Sequence, residues 1–182
     1  KTNTKDNMQT FLPYRNFTKS LESLDDKRLG KQRVETFQIL NNLLGRPKKD
    51  GTPYKGWTNH PCCVMWRGYE DALKLYLNES INVWIARGKN NTMQHEEFDA
   101  FRIRMPWWLG FEDLHASHRS NLLRKDNDYY SKHGWTDNPD DPYVWHDKEN
   151  KWYKQMVGVP VKIYYDKENI HSNSSSLQKE VR

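Results

Sequence analysis

From Asp25 the apolar side chains Leu29, Phe37, Leu40 and Leu44, with Val34 and Ile39 nearby, recur at helical spacing until Gly45 supplies a C-terminal stop. A long amphipathic helix of this kind constrains the rest of the chain, because its apolar stripe must be buried against further elements. Its N-terminal half is basic, with Lys27, Arg28, Lys31 and Arg33. Upstream, Thr18 or Ser20 is placed to cap a short first helix. Residues 46–58, rich in Pro, Gly and Lys, read as a linker. Pro61 suits a first helical position, and Met65, Trp66, Tyr69, Leu73, Tyr76, Leu77 and Trp84 predict a second long helix up to Gly88, kinked near Asn78. Pro106 and Gly110 predict a fixed loop presenting Trp107 and Trp108, and residues 111–125 predict a third helix. Tyr143 to Trp145 and Trp152 to Tyr153, around a polar turn, predict a hairpin. The expected fold class is mainly α: a compact single-domain helical bundle with a small C-terminal β-hairpin.

A chain of 182 residues suits one domain. Leu, Ile, Val and Phe number only 35, near the level typical of disorder, but 8 Trp and 10 Tyr supply the missing apolar area and a net charge of +5 is too small to keep the chain open. A folded domain is expected over residues 8–165, with a disordered extension at residues 1–7 and a flexible tail at residues 166–182. Met8 opens the first apolar stretch and reads as the natural start of translation. No run approaches the roughly 20 apolar residues of a membrane span, and no secretory leader is visible. The adjacent Cys62 and Cys63 fit neither a disulfide framework nor a zinc site. An intracellular protein, cytoplasmic or nucleoid-associated or inside a host cell, is expected, with no membrane partner; monomer is the size-based expectation.

Three constellations could carry chemistry. In residues 25–36, Arg28, Lys31, Gln32 and Glu35 stand three or four apart on a helix, which sets one carboxylate at the edge of a cationic face. That pattern serves as a salt-bridged solvent face or as a general acid/base in an anion-binding cleft. Gly30, at a mid-helix cost of about 1 kcal/mol, favours close approach of another group. In residues 115–125, His115, His118, Arg119, Asn121, Arg124 and Lys125 are donors suited to phosphate oxygens, or to hydrogen bonds inside the bundle. The two histidines lack an acidic or thiolate partner at metal spacing, so neither a metal nor a cofactor is expected. The third constellation is aromatic. Trp107, Trp108, Trp135, Trp145, Trp152 and Tyr153 stand among Lys and Arg; most belong in a core, and a few, Trp107 and Trp108 foremost, would stack on unpaired bases. A pI near 9.1 fits a polyanionic partner. Cys62 and Cys63 open a helix, which lowers a thiol pKa, but with no base nearby they read as buried small hydrophobes.

Seven segments occur in order: MQTFLPY (8–14), LDDKRLGKQRVE (24–35), GWTNHP (56–61), MWRGYE (65–70), RGKNNTM (87–93), PWWLG (106–110) and HASHRSNLLRKD (115–126). Together they resemble the pyrimidine-dimer DNA glycosylase family, the phage endonuclease V-like enzymes, in its larger branch, over residues 8 to about 145. The resemblance implies a helical domain acting on double-stranded DNA that contains damaged or modified pyrimidines. It implies that the α-amine at the chain start attacks C1′, that the base leaves, and that the resulting imine permits β-elimination. A glutamate on the first long helix would assist the proton transfers, and Glu35 fits that role. Met8 is followed by bulky Gln9, which blocks removal of an initiator methionine, so the nucleophile implied is the Met8 amine. An α-amine, with a reference pKa of about 7.7–8.0, is partly neutral at physiological pH. Arg28, Lys31, Arg33, Arg119 and Lys125 would neutralise phosphates. The alternatives are a glycosylase for another modified pyrimidine, a hydrolytic glycosylase in which Glu35 activates a water, a DNA-binding module without catalysis, and an RNA-acting protein.

Overall fold

The computed structural model describes residues 8–155 and 162–164; the extension expected at residues 1–7 and the tail expected at residues 166–182 lie outside them. Asn16, rather than Thr18 or Ser20, caps α1 (Phe17–Glu22), its side chain accepting the Lys19 N–H at 2.8 Å. Helix α2 (Asp26–Leu43) starts where Asp25 accepts the Arg28 N–H, and stops short of Gly45, which takes a φ of 66°. Its buried face runs through Leu29, Gln32, Thr36, Ile39 and Leu40, whereas Val34 and Phe37 are exposed. The stripe is therefore rotated from the one the apolar positions predict. Gln32 points inward because the segment packed on it presents backbone groups that need partners, whereas the buried Thr36 hydroxyl has no hydrogen-bond partner among the described residues.

The expected second long helix is two helices, α3 (Pro61–Trp66) and α4 (Glu70–Ala86). They break at Gly68, whose φ of 86° would cost an L side chain about 1–2 kcal/mol. Asn78, expected at a kink, lies inside an unbroken α4. Its amide instead pairs with the Glu96 backbone, donating at 2.9 Å and accepting at 2.8 Å, and so pins the extended chain that returns across α4. Helix α4 packs along α2, where a Cβ on Gly30 would stand 3.2 Å from the Trp84 ring. Helices α5 (Glu112–Lys125) and α6 (Asn127–Tyr130) follow.

The hairpin forms as expected and gains a strand: β1 (Tyr143–His146) pairs antiparallel with β2 (Trp152–Gln155), and β3 (Lys162–Tyr164) pairs with β2. The protein is mainly α with this small sheet. At its centre Trp66 meets Trp108 edge-on at 5.1 Å and Phe17 meets Tyr76 at 5.4 Å, pairs that contribute about 0.5–1.5 kcal/mol each beyond buried area. No helix among the described residues is long and apolar enough to cross a membrane.

Residues 9–12 run between α2, α4 and α5 with neither helix nor strand partners. Their backbone groups bond instead to polar side chains of those helices. Gln32 Oε1 accepts the Phe11 N–H at 2.9 Å, Gln32 Nε2 donates to the Gln9 carbonyl at 2.7 Å, and the Tyr76 hydroxyl donates to the Phe11 carbonyl at 2.7 Å. Leu12 is held from both sides: His118 Nδ1 accepts its N–H at 2.8 Å and His115 Nδ1 donates to its carbonyl at 2.7 Å. This threading carries Met8 and Gln9 to the flank of α2.

Candidate active site

Glu35 sits in the third turn of α2 with its side chain only 15% exposed. Lys31 Nζ lies 3.6 Å from its Oε1, and the Gln9 N–H and the Gln32 amide each approach Oε2 at 3.5 Å. Burial pushes this carboxyl above the usual glutamate value, against the opposing pull of Lys31, the Gln9 N–H and Lys125. Glu35 is therefore a carboxyl that holds its proton to higher pH than a surface one, the condition that general acid chemistry requires.

The carboxyl stands between two recesses. One is a tight slot of about 130 Å³ walled by Lys27, Arg28, Lys31 and Lys125. Arg28 is held in place by Asp25 at 3.0 Å, and Asp25 in turn accepts from the Tyr130 hydroxyl. Desolvation at the slot, then the cations Arg28, Arg124 and Lys31, hold the Lys125 ammonium below its usual value, against the pull of Glu35. Crowded cations of this kind gain from an anion, and a phosphodiester fits. The other recess is an open groove of about 590 Å³ lined by Met8, Gly30, Val34, Trp57 and Trp84, and it shares Lys27, Lys31 and Glu35 with the slot.

The structure brings Met8, Arg28, Lys31, Glu35 and Lys125 together, and places the other sequence-predicted residues elsewhere. Arg33 lines neither recess; it stacks on the Trp84 ring at 4.1 Å and donates to Asn91 at 2.7 Å. Arg119 is turned inward to Asp137 at 2.8 Å, to Glu112 and to the Pro13 carbonyl at 2.8 Å. Arg124 bonds to the Pro139 carbonyl at 2.6 Å and to Asn121, and Asn121 donates to the Ser117 carbonyl at 2.7 Å. His115, His118 and Asn121 are buried at 2%, 2% and 0% exposure, so they do not meet phosphates. Both ring nitrogens of His115, the His118 Nδ1 and the Asn121 amide N–H serve the chain's own backbone, while His118 Nε2 has no hydrogen-bond partner among the described residues. Trp108 is likewise core, its indole N–H on the Met65 carbonyl at 2.8 Å, whereas Trp107 remains half exposed against His146 and Trp152. The cysteines are buried, with burial pushing the Cys63 thiol up to about 12 and Cys62 well above its usual value, so neither is a thiolate nucleophile. No group of three or more His, Cys, Asp or Glu that could hold a metal ion occurs among the described residues.

Sequence reasoning did not single out Trp57 and Trp84, which line the groove beside Glu35. Trp84 reads as one more core position of a periodic helix, and Trp57 as part of a linker.

The inward histidines make a stability prediction. Burial holds His118 well below, and His115 below, the usual histidine value, and His118 Nδ1 must stay unprotonated to accept the Leu12 N–H. Groups with depressed folded values contribute stability that is present above the unfolded value of about 6.5 and lost as pH falls through it. Tm is therefore expected to drop steadily below about pH 6.5. His118→Asn, which keeps an acceptor for Leu12 but does not titrate, should show a shallower drop; an identical pH profile in the variant would remove His118 from the account.

Residues 8–97 match the family model described as pyrimidine dimer DNA glycosylase. No curated protein and no solved structure matches the chain.

Proposed function

We propose, since the chain belongs through residues 8–97 to the pyrimidine dimer DNA glycosylase family, that it excises pyrimidine dimers from double-stranded DNA and then cleaves the strand at the abasic site. The nucleophile is the α-amine of a chain beginning at Met8, and Glu35 is the acid/base. The observation that carries this reading is the placement of one buried carboxyl between a cationic slot and an open groove, with the Gln9 N–H 3.5 Å from Glu35 Oε2 and Met8 in the groove wall.

The amine lone pair attacks C1′, and the C1′–N bond breaks with its electron pair passing to the base. The attacking nitrogen gives up its protons as the sugar ring opens, leaving an imine. Protonated Glu35 supplies a proton to the ring oxygen or the departing base. Once ionised, it takes the C2′ proton, and the 3′ phosphate leaves with the electrons of the C3′–O bond. Lys31 and Lys125 stabilise the ionised form, and with Lys27 and Arg28 they hold the neighbouring phosphate.

Borohydride trapping of the protein started at Met8 tests this on three duplexes: undamaged, bearing a thymine dimer, and bearing an abasic site. A covalent adduct is expected on the last two and should be lost when the α-amine is acetylated. An adduct on the abasic duplex alone would reassign the excised base to another modified pyrimidine. Base release without an adduct would replace the imine by a water activated by Glu35, and neither product nor adduct would leave a DNA-binding module.

A further inference from the structure

We infer that Cys62 is a positioning residue for the α-amine of Met8: its thiol holds the Met8 carbonyl, and with it the peptide unit from which the amine projects. This rests on the imine reading above and adds to it a buried residue that touches no DNA. Cys62 Sγ donates to the Met8 carbonyl at 3.4 Å, and the Gln9 N–H lies 3.5 Å from Glu35 Oε2. These are the two ends of one peptide unit, gripped by α3 on one side and α2 on the other. A peptide is planar, so holding its carbonyl and its N–H fixes the whole plane and the Met8 Cα at its edge. The amine stands one bond beyond that Cα and is left a single rotation, about ψ of Met8.

The two holds are not equivalent. In the proposed reaction Glu35 gives up its proton and later takes one, and an ionised carboxylate accepts a hydrogen bond roughly twice as strongly as a neutral carboxyl. Its grip on the Gln9 N–H therefore changes as the reaction proceeds. Cys62 does not change state. It is 1% exposed, and burial, then the neighbouring Cys63 thiol, push its pKa well above the usual thiol value, so it remains a neutral donor throughout. A thiol is a weak donor, but this one is fixed. Pro61 opens α3, and the Cys62 N–H is bonded to His60 Nδ1 at 3.2 Å. The same sulfur lies 3.5 Å from Gln9 Oε1, which accepts the Thr10 N–H at 3.0 Å. Cys62 thus ties both Met8 and Gln9 to α3, while Gln32 ties the Gln9 carbonyl to α2.

The test is borohydride trapping of the protein started at Met8 on a duplex bearing an abasic site, followed through a single turnover. Cys62→Ala is expected to slow adduct formation by about 10- to 100-fold, the cost of letting a reacting group move by about 1 Å, with Kd for the duplex unchanged because the cations of the slot are untouched. Cys62→Ser, which keeps a donor, should recover most of the loss. Cys63→Ala, which removes an equally buried thiol one residue away, should trap at the wild-type rate. If Cys62→Ala fails to fold, Cys62→Thr and Cys62→Val, alike in shape and differing by a hydroxyl, make the same comparison, and Thr should outpace Val. Trapping by the donor-free variants at the wild-type rate would overturn the assignment while leaving the imine in place. A loss carried by Kd alone would overturn it too, as would equal losses with and without a donor at position 62, or in Cys62→Ala and Cys63→Ala, since the thiol would then act by filling space. A wild-type protein that forms no adduct overturns the imine reading, and this assignment with it.

Discussion

Glu35→Gln is expected to lower single-turnover excision and strand cleavage by about 10²–10⁴-fold, the usual contribution of a positioned acid/base, while leaving the folded protein at least as stable as wild type at neutral pH. Both halves come from the same burial. The Glu35 carboxyl is held above its usual value chiefly by desolvation, so between the unfolded and folded values the folded state carries a proton that the unfolded chain has released. For an acid raised in this way, stability is fully present below the unfolded value and is lost as pH rises through the folded one. At neutral pH the ionised side chain therefore opposes folding, and the neutral amide of Gln removes that opposition. Thermal unfolding from pH 4 to pH 8 should show the variant gaining on wild type as pH rises, with duplex affinity retained because the cations of the slot are untouched. Undiminished cleavage would remove Glu35 from the chemistry. A variant less stable at pH 8 would mean that Lys31 and Lys125 outweigh burial. A site residue that weakens the fold is what a reactive carboxyl in a partly dry cleft entails.

The part of this site built from one helix was legible in the sequence, because spacing alone fixes which side chains share a face. Arg28, Lys31 and Glu35 were placed together by their three- and four-residue intervals, and the structure keeps them together around the slot. The stop of α2 was readable for the same local reason, as the φ of 66° at Gly45 shows, whereas the cap of α1 is Asn16 and not Thr18 or Ser20. What was not legible depends on what lies across from a helix. His115, His118 and Asn121 are donors and acceptors at helical spacing whether they face a phosphate or a peptide group, and only the path of residues 9–12 decides between the two. Gln32 and Thr36 look like solvent-facing polar residues of an amphipathic helix, yet both are fully buried. Val34 and Phe37, which propensity puts inside, are outside. The break at Gly68 carries a signal, a glycine two residues after a run of core positions, but the helical period continues past it, so the pattern alone predicts one helix where the structure has two. Trp57 and Trp84 come from segments 27 positions apart and meet only across the groove.

Gln32→Leu is expected to have the largest effect on stability, and to take activity with it. The side chain is 0% exposed and its amide uses both ends: Oε1 accepts the Phe11 N–H at 2.9 Å, Nε2 donates to the Gln9 carbonyl at 2.7 Å, and the Tyr76 hydroxyl lies 2.8 Å from Oε1. Leucine of similar size fills the volume but orphans one buried N–H and one buried carbonyl, at about 1–3 kcal/mol each. The hydroxyl keeps its bond to the Phe11 carbonyl at 2.7 Å, so it adds little to the loss. A total near 3 kcal/mol corresponds to a Tm lower by roughly 6–12 °C for a chain of this length. The functional consequence follows from the same two bonds. They are what lay Gln9 along α2 so that its N–H meets Glu35 and Met8 lines the groove, and misplacing a reacting group by about 1 Å can cost 10²-fold in rate. Calorimetry and single-turnover cleavage below the variant's own Tm separate the two effects. A variant that melts early but cuts at the wild-type rate when folded would show that residues 8–12 find their place without Gln32, and that the chemistry does not depend on how they are held.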